Sequence, residues 1–307
     1  MRVGIVGTAH PHVRDHLEVI AADPRWMLAG IRESDVVSSV TYPVDAVVST
    51  IDEVIERNDV IVVDTETCLH CELVEPLLEA AKPLFIEKPL GMSAPESREI
   101  ADLIRESGIQ FSTGLLLRFQ RSTRELKAAL QRDDLGRVLS IDMRFGHSGF
   151  LTGWFDRECA WMLDPVQAGL GGFGDIGLHL VDLLTWLDPK RSIRMRSSWM
   201  CPSHGSALLV WGSVPVTLAA GWASNPGGFS VTVDGERGTA SIAAGGITFD
   251  LSGMAQRHVP GSPPRAGIAL QQFLEGVLEP DRVQEVTVDD AERASVLAYE
   301  LEEKVRQ

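Results

Sequence analysis

Short apolar segments alternate with helix-like segments through the first 117 residues of the chain. An apolar run as short as residues 60–63, bounded by polar residues, is typical of a strand buried on both faces of a parallel sheet. Apolar residues recur with helical spacing at residues 13–22 and, after a Ser93 cap, as far as Ser107. The predicted strands here are residues 3–6, 27–31, 60–63, 83–86 and 110–117. Strands alternating with helices predict an open parallel sheet with helices on both faces.

Strand-like segments dominate after residue 118, and turns rich in glycine, serine, asparagine and proline join them. They lie at residues 137–145, 193–200, 207–211, 214–220, 229–233, 239–243 and 247–251. These segments predict a large, mostly antiparallel open sheet, and two helices at residues 268–278 and 290–305 close the chain. We therefore predict a doubly wound α/β domain at residues 1–117 and an α+β domain at residues 118–307.

Composition and charge narrow the classes of partner. The chain has 307 residues, of which 44% are hydrophobic, and its net charge is -15. This acidic balance argues against nucleic acid or an anionic membrane surface as the main partner and leaves a small molecule. Four cysteines are too few for a disulfide scaffold, and a strand-like segment starts at Arg2 rather than a secretory signal. A cytoplasmic protein without a membrane span is expected.

The turn after the first strand is typical of a dinucleotide-binding βαβ unit. Its sequence is Gly7-Thr8-Ala9-His10-Pro11-His12, so Ala9 and His12 stand where the usual fingerprint has glycine. The cofactor-binding candidates here are Gly7, Thr8, Ala9, His10 and His12, and the two imidazoles could reach a phosphate. The second strand ends at Arg32 and Glu33, where an acid would bind the ribose of NAD and an arginine the 2′-phosphate of NADP. The choice between the two cofactors stays open.

Two further segments carry candidate chemistry. Glu87-Lys88-Pro89 follows a buried strand, so we expect Lys88 at the lip of a cleft, and Pro89 permits a cis peptide bond. A solvated turn is the alternative interpretation of this segment. In the second domain Asp175 and His179 are four residues apart and share one helical face, where a carboxylate can hold an imidazole in one tautomer. The alternative there is a capping aspartate and a core histidine.

Together these segments resemble the Gfo/Idh/MocA oxidoreductase family. The resemblance rests on three segments of the sequence. They are Glu87-Lys88-Pro89, the run from Gly171-Gly172 through Asp175-Ile176-Gly177 to His179, and Thr65 with His70. The resemblance implies a Rossmann domain that binds NAD or NADP, and a second domain whose open sheet forms a homodimer or homotetramer. It implies that the closing helix packs back on the first domain. It adds the cofactor contacts Thr65, His70, Glu87, Lys88 and Trp161.

The resemblance also implies a reaction, which is hydride transfer between the nicotinamide and a carbinol or carbonyl carbon of a sugar, polyol or related substrate. His179 would act as general base, Lys88 would stabilise the developing alkoxide, and Asp175 would orient His179 or bind substrate. The substrate-pocket candidates are Arg118, Arg144, His147, Trp154 and Arg157.

Three alternatives accompany this interpretation. The first is a metal enzyme, suggested by the spacing of Cys68 and Cys71 and by the histidines at positions 10, 12 and 16. No second Cys-x-x-Cys exists, so no metal site is predicted. A catalytically silent NAD(P)-binding sensor would explain the altered glycine fingerprint. A redox-assisted elimination or hydrolysis of a glycoside would use the same fold.

Overall fold

The computed structural model describes residues 1–34, 41–156, 159–279 and 281–303. Its strands are β1 (Arg2–Val6), β2 (Met27–Arg32), β3 (Val60–Val63), β4 (Leu84–Ile86), β5 (Phe111–Thr113), β6 (Val138–Gly146), β7 (Ile193–Cys201), β8 (His204–Trp211), β9 (Val214–Gly221), β10 (Gly228–Gly235), β11 (Gly238–Ala243), β12 (Gly246–Leu251) and β13 (Arg257–Pro260). Its α-helices are α1 (Val13–Ala22), α2 (Ile51–Arg57), α3 (His70–Glu79), α4 (Ala94–Ser107), α5 (Arg121–Gln131), α6 (Pro165–Ala168), α7 (Gly172–Leu187), α8 (Gly267–Leu278) and α9 (Val288–Glu303). None of the described helices combines the length and apolarity needed to cross a membrane.

The chain forms two compact units. The first contains residues 1–115, 153–169 and 265–296, and the second contains residues 116–152, 170–264 and 297–307. Both units are discontinuous in sequence, whereas the sequence analysis divided the chain once, after residue 117. Helix α9 was expected to pack on the first domain; its residues up to 296 belong to the first unit, and those from 297 onward belong to the second.

A parallel sheet with strand order β2-β1-β3-β4-β5 forms the centre of the first unit. Successive side chains in a strand point to opposite faces of the sheet, so neighbouring residues contact different helices. Ile61 and Ile86 pack with residues of α3 and α4 in one core cluster. Phe85 points to the other face, where its ring lies 5.8 Å from that of Phe273 in α8 and 5.4 Å from that of His16 in α1. The predicted doubly wound parallel sheet is therefore confirmed.

The second unit is built on a larger sheet with strand order β13-β12-β11-β10-β6-β9-β8-β7. All its neighbouring strands are antiparallel except β6 and β9, which run parallel. Helix α7 packs on β6, β8 and β9 and covers one face. The opposite face carries exposed side chains such as Arg144, Trp199 and Leu208. The predicted open, mostly antiparallel sheet is confirmed.

Some element boundaries differ from the sequence-based expectations, and one strand was not expected. Strand β5 ends at Thr113 rather than residue 117, because Thr113 pairs with Ile86 and β4 offers no partner beyond that residue. Strand β13 was not predicted, since it is a four-residue edge strand that pairs only with β12. Helix α7, whose face carries Asp175 and His179, begins at Gly172. The Glu302 carboxylate accepts the Gly174 N–H at 2.7 Å and so satisfies a donor of the first turn.

A buried ion pair fixes the middle of α7. The Nε atom of Arg118 donates to both carboxylate oxygens of Asp182 at 3.1 and 3.0 Å, and both side chains are almost fully buried. Removing one partner of such a pair leaves an uncompensated charge in the interior. The pair is therefore a structural requirement of the second unit.

We expect Asp182→Asn to lower the free energy of unfolding by about 3–5 kcal/mol, because the Arg118 guanidinium would lose its buried counter-charge. Asp102→Asn is the matched control, since Asp102 also pairs with an arginine, Arg105, but its side chain is 68% exposed. Solvent screening should make the control loss much smaller. Urea unfolding followed by circular dichroism measures both, and equal losses would contradict the structural role of the buried pair.

Candidate active site

The first βα turn is held tightly against the strand beside it. Gly7 has φ +89°, and a Cβ there would lie 2.4 Å from Cγ2 and 2.8 Å from the backbone N of Thr65. Only glycine satisfies both constraints. The structure thus brings together two predicted cofactor residues, Gly7 and Thr65, at the carboxyl ends of β1 and β3.

Much of the hydrogen-bonding capacity of this turn is used within the protein. The Thr8 N–H donates to Ser34 Oγ at 2.9 Å, and the Ser34 N–H returns a bond to Thr8 Oγ1 at 3.1 Å. The His10 N–H donates to the Asp64 carbonyl at 3.0 Å, and Pro11 has no N–H. A phosphate at this turn would therefore depend on side chains more than the usual glycine fingerprint requires.

Trp161 closes over the same turn from a distant part of the sequence. Its indole Nε1 donates to the Ala9 carbonyl at 3.0 Å, and its ring lies 6.3 Å from that of His10. The side chain is buried. Three predicted cofactor residues, Ala9, His10 and Trp161, are thus neighbours in the first unit.

A cluster of three histidines and two carboxylates lies at the carboxyl ends of β1, β3 and β4. Glu87 is fully buried at its centre, and its Oε1 lies 3.0 Å from His12 Nδ1 and 3.4 Å from His16 Nε2. Its Oε2 lies 3.9 Å from His10 Nε2. On the far side of the His16 ring, Nδ1 lies 3.0 Å from both carboxylate oxygens of Asp64. Glu87, His10 and His12 were predicted from the sequence as separate cofactor contacts, His16 appeared only in the metal alternative, and Asp64 was not a candidate.

The electrostatics of this cluster favour an ionised Glu87. Burial opposes that charge, but the imidazoles of His12 and His10 outweigh burial and hold the pKa of Glu87 well below its usual range. Burial raises the pKa of Asp64 in spite of the neighbouring His16. Burial alone would lower the pKa of His16, yet Asp64 and Glu87 outweigh it and raise that pKa.

Lys88 follows this cluster directly. Its backbone N–H donates to Glu87 Oε2 at 3.0 Å, the Lys88–Pro89 peptide bond is cis, and the Leu90 N–H donates to Ser295 Oγ at 3.0 Å. The Lys88 residue is only 4% exposed, so it does not form the solvated turn of the alternative interpretation. Its catalytic role stays a prediction.

Two further predicted cofactor residues contain buried polar atoms that lack a hydrogen-bond partner among the described residues. These atoms are Thr65 Oγ1 and His70 Nε2. The other ring nitrogen of His70, Nδ1, lies 3.2 Å from the Leu90 carbonyl. A polar ligand group would compensate such atoms, which fits a dinucleotide at this edge of the sheet.

The end of β2 does not decide between NAD and NADP. Glu33 accepts a hydrogen bond from the Tyr42 hydroxyl. Burial and the neighbouring Glu33 raise the pKa of Tyr42 to about 12. Arg32 is half-buried at the last position of β2. Both residues that could read the ribose are therefore present at the predicted place.

In the second unit, α7 presents the other two catalytic candidates. The Asp175 Oδ2 accepts a hydrogen bond from the Trp222 indole at 2.7 Å. The His179 ring packs edge-on against Phe145, with 5.7 Å between the ring centroids. Both residues are buried in the first turns of α7. The Asp175 carboxylate thus has a tryptophan partner that the sequence analysis missed and that no local signal could have revealed.

The predicted substrate residues have diverse surroundings. Arg118 is paired with Asp182, as described above. Arg144 lies on the face of the large sheet opposite α7, because residues 141 and 143 of the same strand point to the α7 side. The His147 Nδ1 accepts the Gly149 N–H at 3.0 Å. Trp154 is 38% exposed, and Arg157 lies outside the described residues. Substrate contact by these residues stays a prediction.

His70 provides a pH test of this edge of the sheet. Burial lowers its pKa to about 4, against an ordinary value of 6.5. Between these two pH values the unfolded chain binds a proton that the folded chain does not, so folded stability falls as pH decreases. His70→Asn can retain a donor to the Leu90 carbonyl but cannot titrate. From pH 7 to pH 4 we expect the variant to gain stability relative to the parent, on the order of 3 kcal/mol. Urea unfolding at several pH values measures this, and a difference independent of pH would contradict it.

Comparison with known proteins identifies the family. The model for the oxidoreductase family with an NAD-binding Rossmann fold matches residues 1–115, and that for the GFO/IDH/MocA C-terminal domain matches residues 123–241. Levoglucosan dehydrogenase of Pseudarthrobacter phenanthrenivorans is 27% identical over 139 residues, which are 44% of this chain and 34% of that protein. Glucose-6-phosphate 3-dehydrogenase of Bacillus subtilis is 26% identical over 138 residues, 45% of this chain and 39% of that protein. The matched parts are thus less than half the length of these relatives.

A solved structure agrees over almost the whole chain. GenD2 from gentamicin A biosynthesis, in complex with NAD, superposes with a TM-score of 0.77 at 22% identity and covers 99% of this chain and 93% of that one. At this identity the likeness shows the fold. With both family models matched in order along the sequence, the resemblance inferred from the motifs is confirmed, and the chain belongs to the Gfo/Idh/MocA oxidoreductase family.

Proposed function

We propose that this protein is an NAD- or NADP-dependent oxidoreductase that acts on a CH–OH group of a sugar, polyol or related small molecule. The observation that carries the proposal is the carboxyl edge of the first sheet. There the Gly7 turn, the uncompensated polar atoms of Thr65 and His70, and Lys88 lie in a domain that the NAD-binding family model matches. Ligands of open α/β sheets bind at this edge.

The substrate class is proposed from the relatives. Levoglucosan and glucose 6-phosphate, the compounds in their names, are both carbohydrates. The chain therefore acts on a cyclic polyhydroxylated compound. A buried, polar-lined site suits such a substrate because each hydroxyl needs a hydrogen-bond partner.

The proposed mechanism assigns one task to each of three side chains. His179 takes the proton of the reacting hydroxyl as general base, and Asp175 keeps its position through the Trp222 indole and orients His179 or the substrate. Lys88 stabilises negative charge on the substrate oxygen. A nicotinamide cofactor held at this site would supply or accept the hydride.

Cofactor binding is proposed for the Gly7–His12 turn, Arg32, Glu33, Thr65, His70 and Trp161. Direct titration with NADH and NADPH decides the cofactor preference. Cytoplasmic location is proposed from the small number of cysteines in the chain.

We expect Lys88→Ala to reduce kcat on the order of a hundredfold or more, because the substrate oxygen loses its charged partner as it becomes an alkoxide. Lys190→Ala, at an exposed loop position, is the control and should retain parental turnover. The assay follows NADH or NADPH absorbance with a panel of sugars, inositols and their keto forms.

Two outcomes would contradict this proposal. Near-parental turnover of Lys88→Ala would remove Lys88 from the mechanism. Dinucleotide binding without net accumulation of reduced cofactor on any substrate of the panel would favour the sensor or the redox-assisted glycoside reaction instead.

Self-association through the outer face of the large sheet is also proposed, as a homodimer or homotetramer. This face exposes Trp199 by 58% and Leu208 by 41%, which a second copy would cover. Trp199→Glu should therefore shift the mass measured by light scattering toward the monomer. Met254→Glu, at a still more exposed apolar position in the β12–β13 turn, should not. A monomeric parent protein would refute the proposed interface.

A further inference from the structure

We propose that His10, His12 and Glu87 form a binding site for a divalent first-row transition-metal ion, and that His16 and Asp64 position Glu87. No metal site was predicted from the sequence, because no second Cys-x-x-Cys accompanies Cys68 and Cys71. The fold supplies the missing carboxylates, since Glu87 follows β4 and Asp64 follows β3 at the same edge of the sheet.

The distances between donor atoms suit a common ion. One nitrogen or oxygen from each of His10, His12 and Glu87 lies within 4.8 Å of the others. Metal–ligand distances of about 2.0–2.1 Å place neighbouring ligands about 3.3 Å apart in a tetrahedral site. The Glu87 oxygens lie 3.0 Å from His12 Nδ1 and 3.9 Å from His10 Nε2, on either side of that value. Small side-chain movements would equalise them.

Behind Glu87, His16 and Asp64 form a buried histidine–carboxylate pair. The His16 Nδ1 is within hydrogen-bond distance of Asp64, which fixes the ring, and Nε2 is aimed at Glu87 Oε1 from 3.4 Å. This Nε2 is fully buried and makes no hydrogen bond with the described residues. A ring fixed by Asp64 in this way keeps Nε2 facing Glu87, where a small shift would let it hydrogen-bond and orient that carboxylate.

The charges of the two buried carboxylates also favour a bound cation. Asp64 and Glu87 are both 0% exposed, and two buried carboxylates are costly unless positive charge accompanies them. One divalent cation with neutral imidazoles supplies two positive charges at once. The competing arrangement replaces the metal by protons on two histidines, and the experiment below separates the two.

The donor set and the access route define the class of ion. Two imidazoles and one carboxylate bind Zn²⁺ or Fe²⁺ and leave coordination positions for water or a ligand. The His12 side chain is 19% exposed, whereas those of Glu87 and His10 are buried, so an ion would enter past His12. One contact opposes loading, since the His12 N–H donates to His10 Nδ1 at 3.3 Å. Coordination through His10 Nε2 would require this long bond to open.

Cobalt titration of the full chain tests the proposal. Co²⁺ is added to protein freed of metal by a chelator, without dinucleotide or substrate, and visible d–d absorption reports coordination. Zn²⁺ calorimetry gives the stoichiometry. We expect one equivalent per chain, and binding at least roughly tenfold weaker in His12→Asn and in the positioning variant His16→Asn. His258→Asn removes an exposed histidine outside the cluster and should bind as the parent does.

Each outcome decides the question. Absence of saturable Co²⁺ or Zn²⁺ binding, or equal affinity in the parent and His12→Asn, would overturn the site. If Glu87→Gln or His16→Asn fails to fold by circular dichroism, the partly exposed His12 variant still gives the answer. Proton occupancy would appear as pH-dependent stability without metal binding, and it too would overturn the proposal. Because no dinucleotide is present, a negative result leaves the proposed oxidoreductase function untouched.

Discussion

A carboxylate wholly removed from water needs positive charge or hydrogen-bond donors around it, and Glu87 imposes that requirement on the first unit. The His12 and His10 imidazoles and the Lys88 N–H surround it. Even the backbone opposite is constrained, because a Cβ at Gly114 would lie 2.5 Å from Glu87 Oε2. The buried charge of Glu87 thus constrains residues at the ends of three separate strands. It also holds the backbone at Lys88, whose N–H donates to the same carboxylate.

The second unit meets the same requirement with different partners. Asp182 has the Arg118 guanidinium, Asp175 has the Trp222 indole, and Glu302 accepts two backbone N–H groups at the start of α7. A carboxylate at a helix N-terminus also complements the helix dipole. Helix α7 is therefore held at its first turn and near its middle. A rigid support of this kind suits a helix that carries candidate catalytic side chains.

The elements were predictable because their signals are local, as with the apolar run of β3 or the Ser93 cap, whose hydroxyl accepts the Glu96 N–H. The grouping of the histidines with Asp64 and Glu87 was only partly predictable from the sequence. Position 16 follows His12 by four residues, which places both on one face of a helix. Asp64 and Glu87, however, reach the histidines through strand order, 48 and 75 residues away. No periodicity in the sequence encodes such a distance, and the same holds for the indole that contacts Asp175.

The altered glycine fingerprint can now be interpreted physically. Ala9 and His12 stand where the usual fingerprint has glycine, which normally lets the backbone approach a pyrophosphate. In the structure, the Thr8 and His10 N–H groups already have partners within the protein, so a glycine at position 12 would not restore the usual cradle. The imidazole at that position instead contacts Glu87, which glycine could not do. The departure from the fingerprint at position 12 therefore places a side chain that can carry charge at this turn, and this side chain ties the turn to the end of β4.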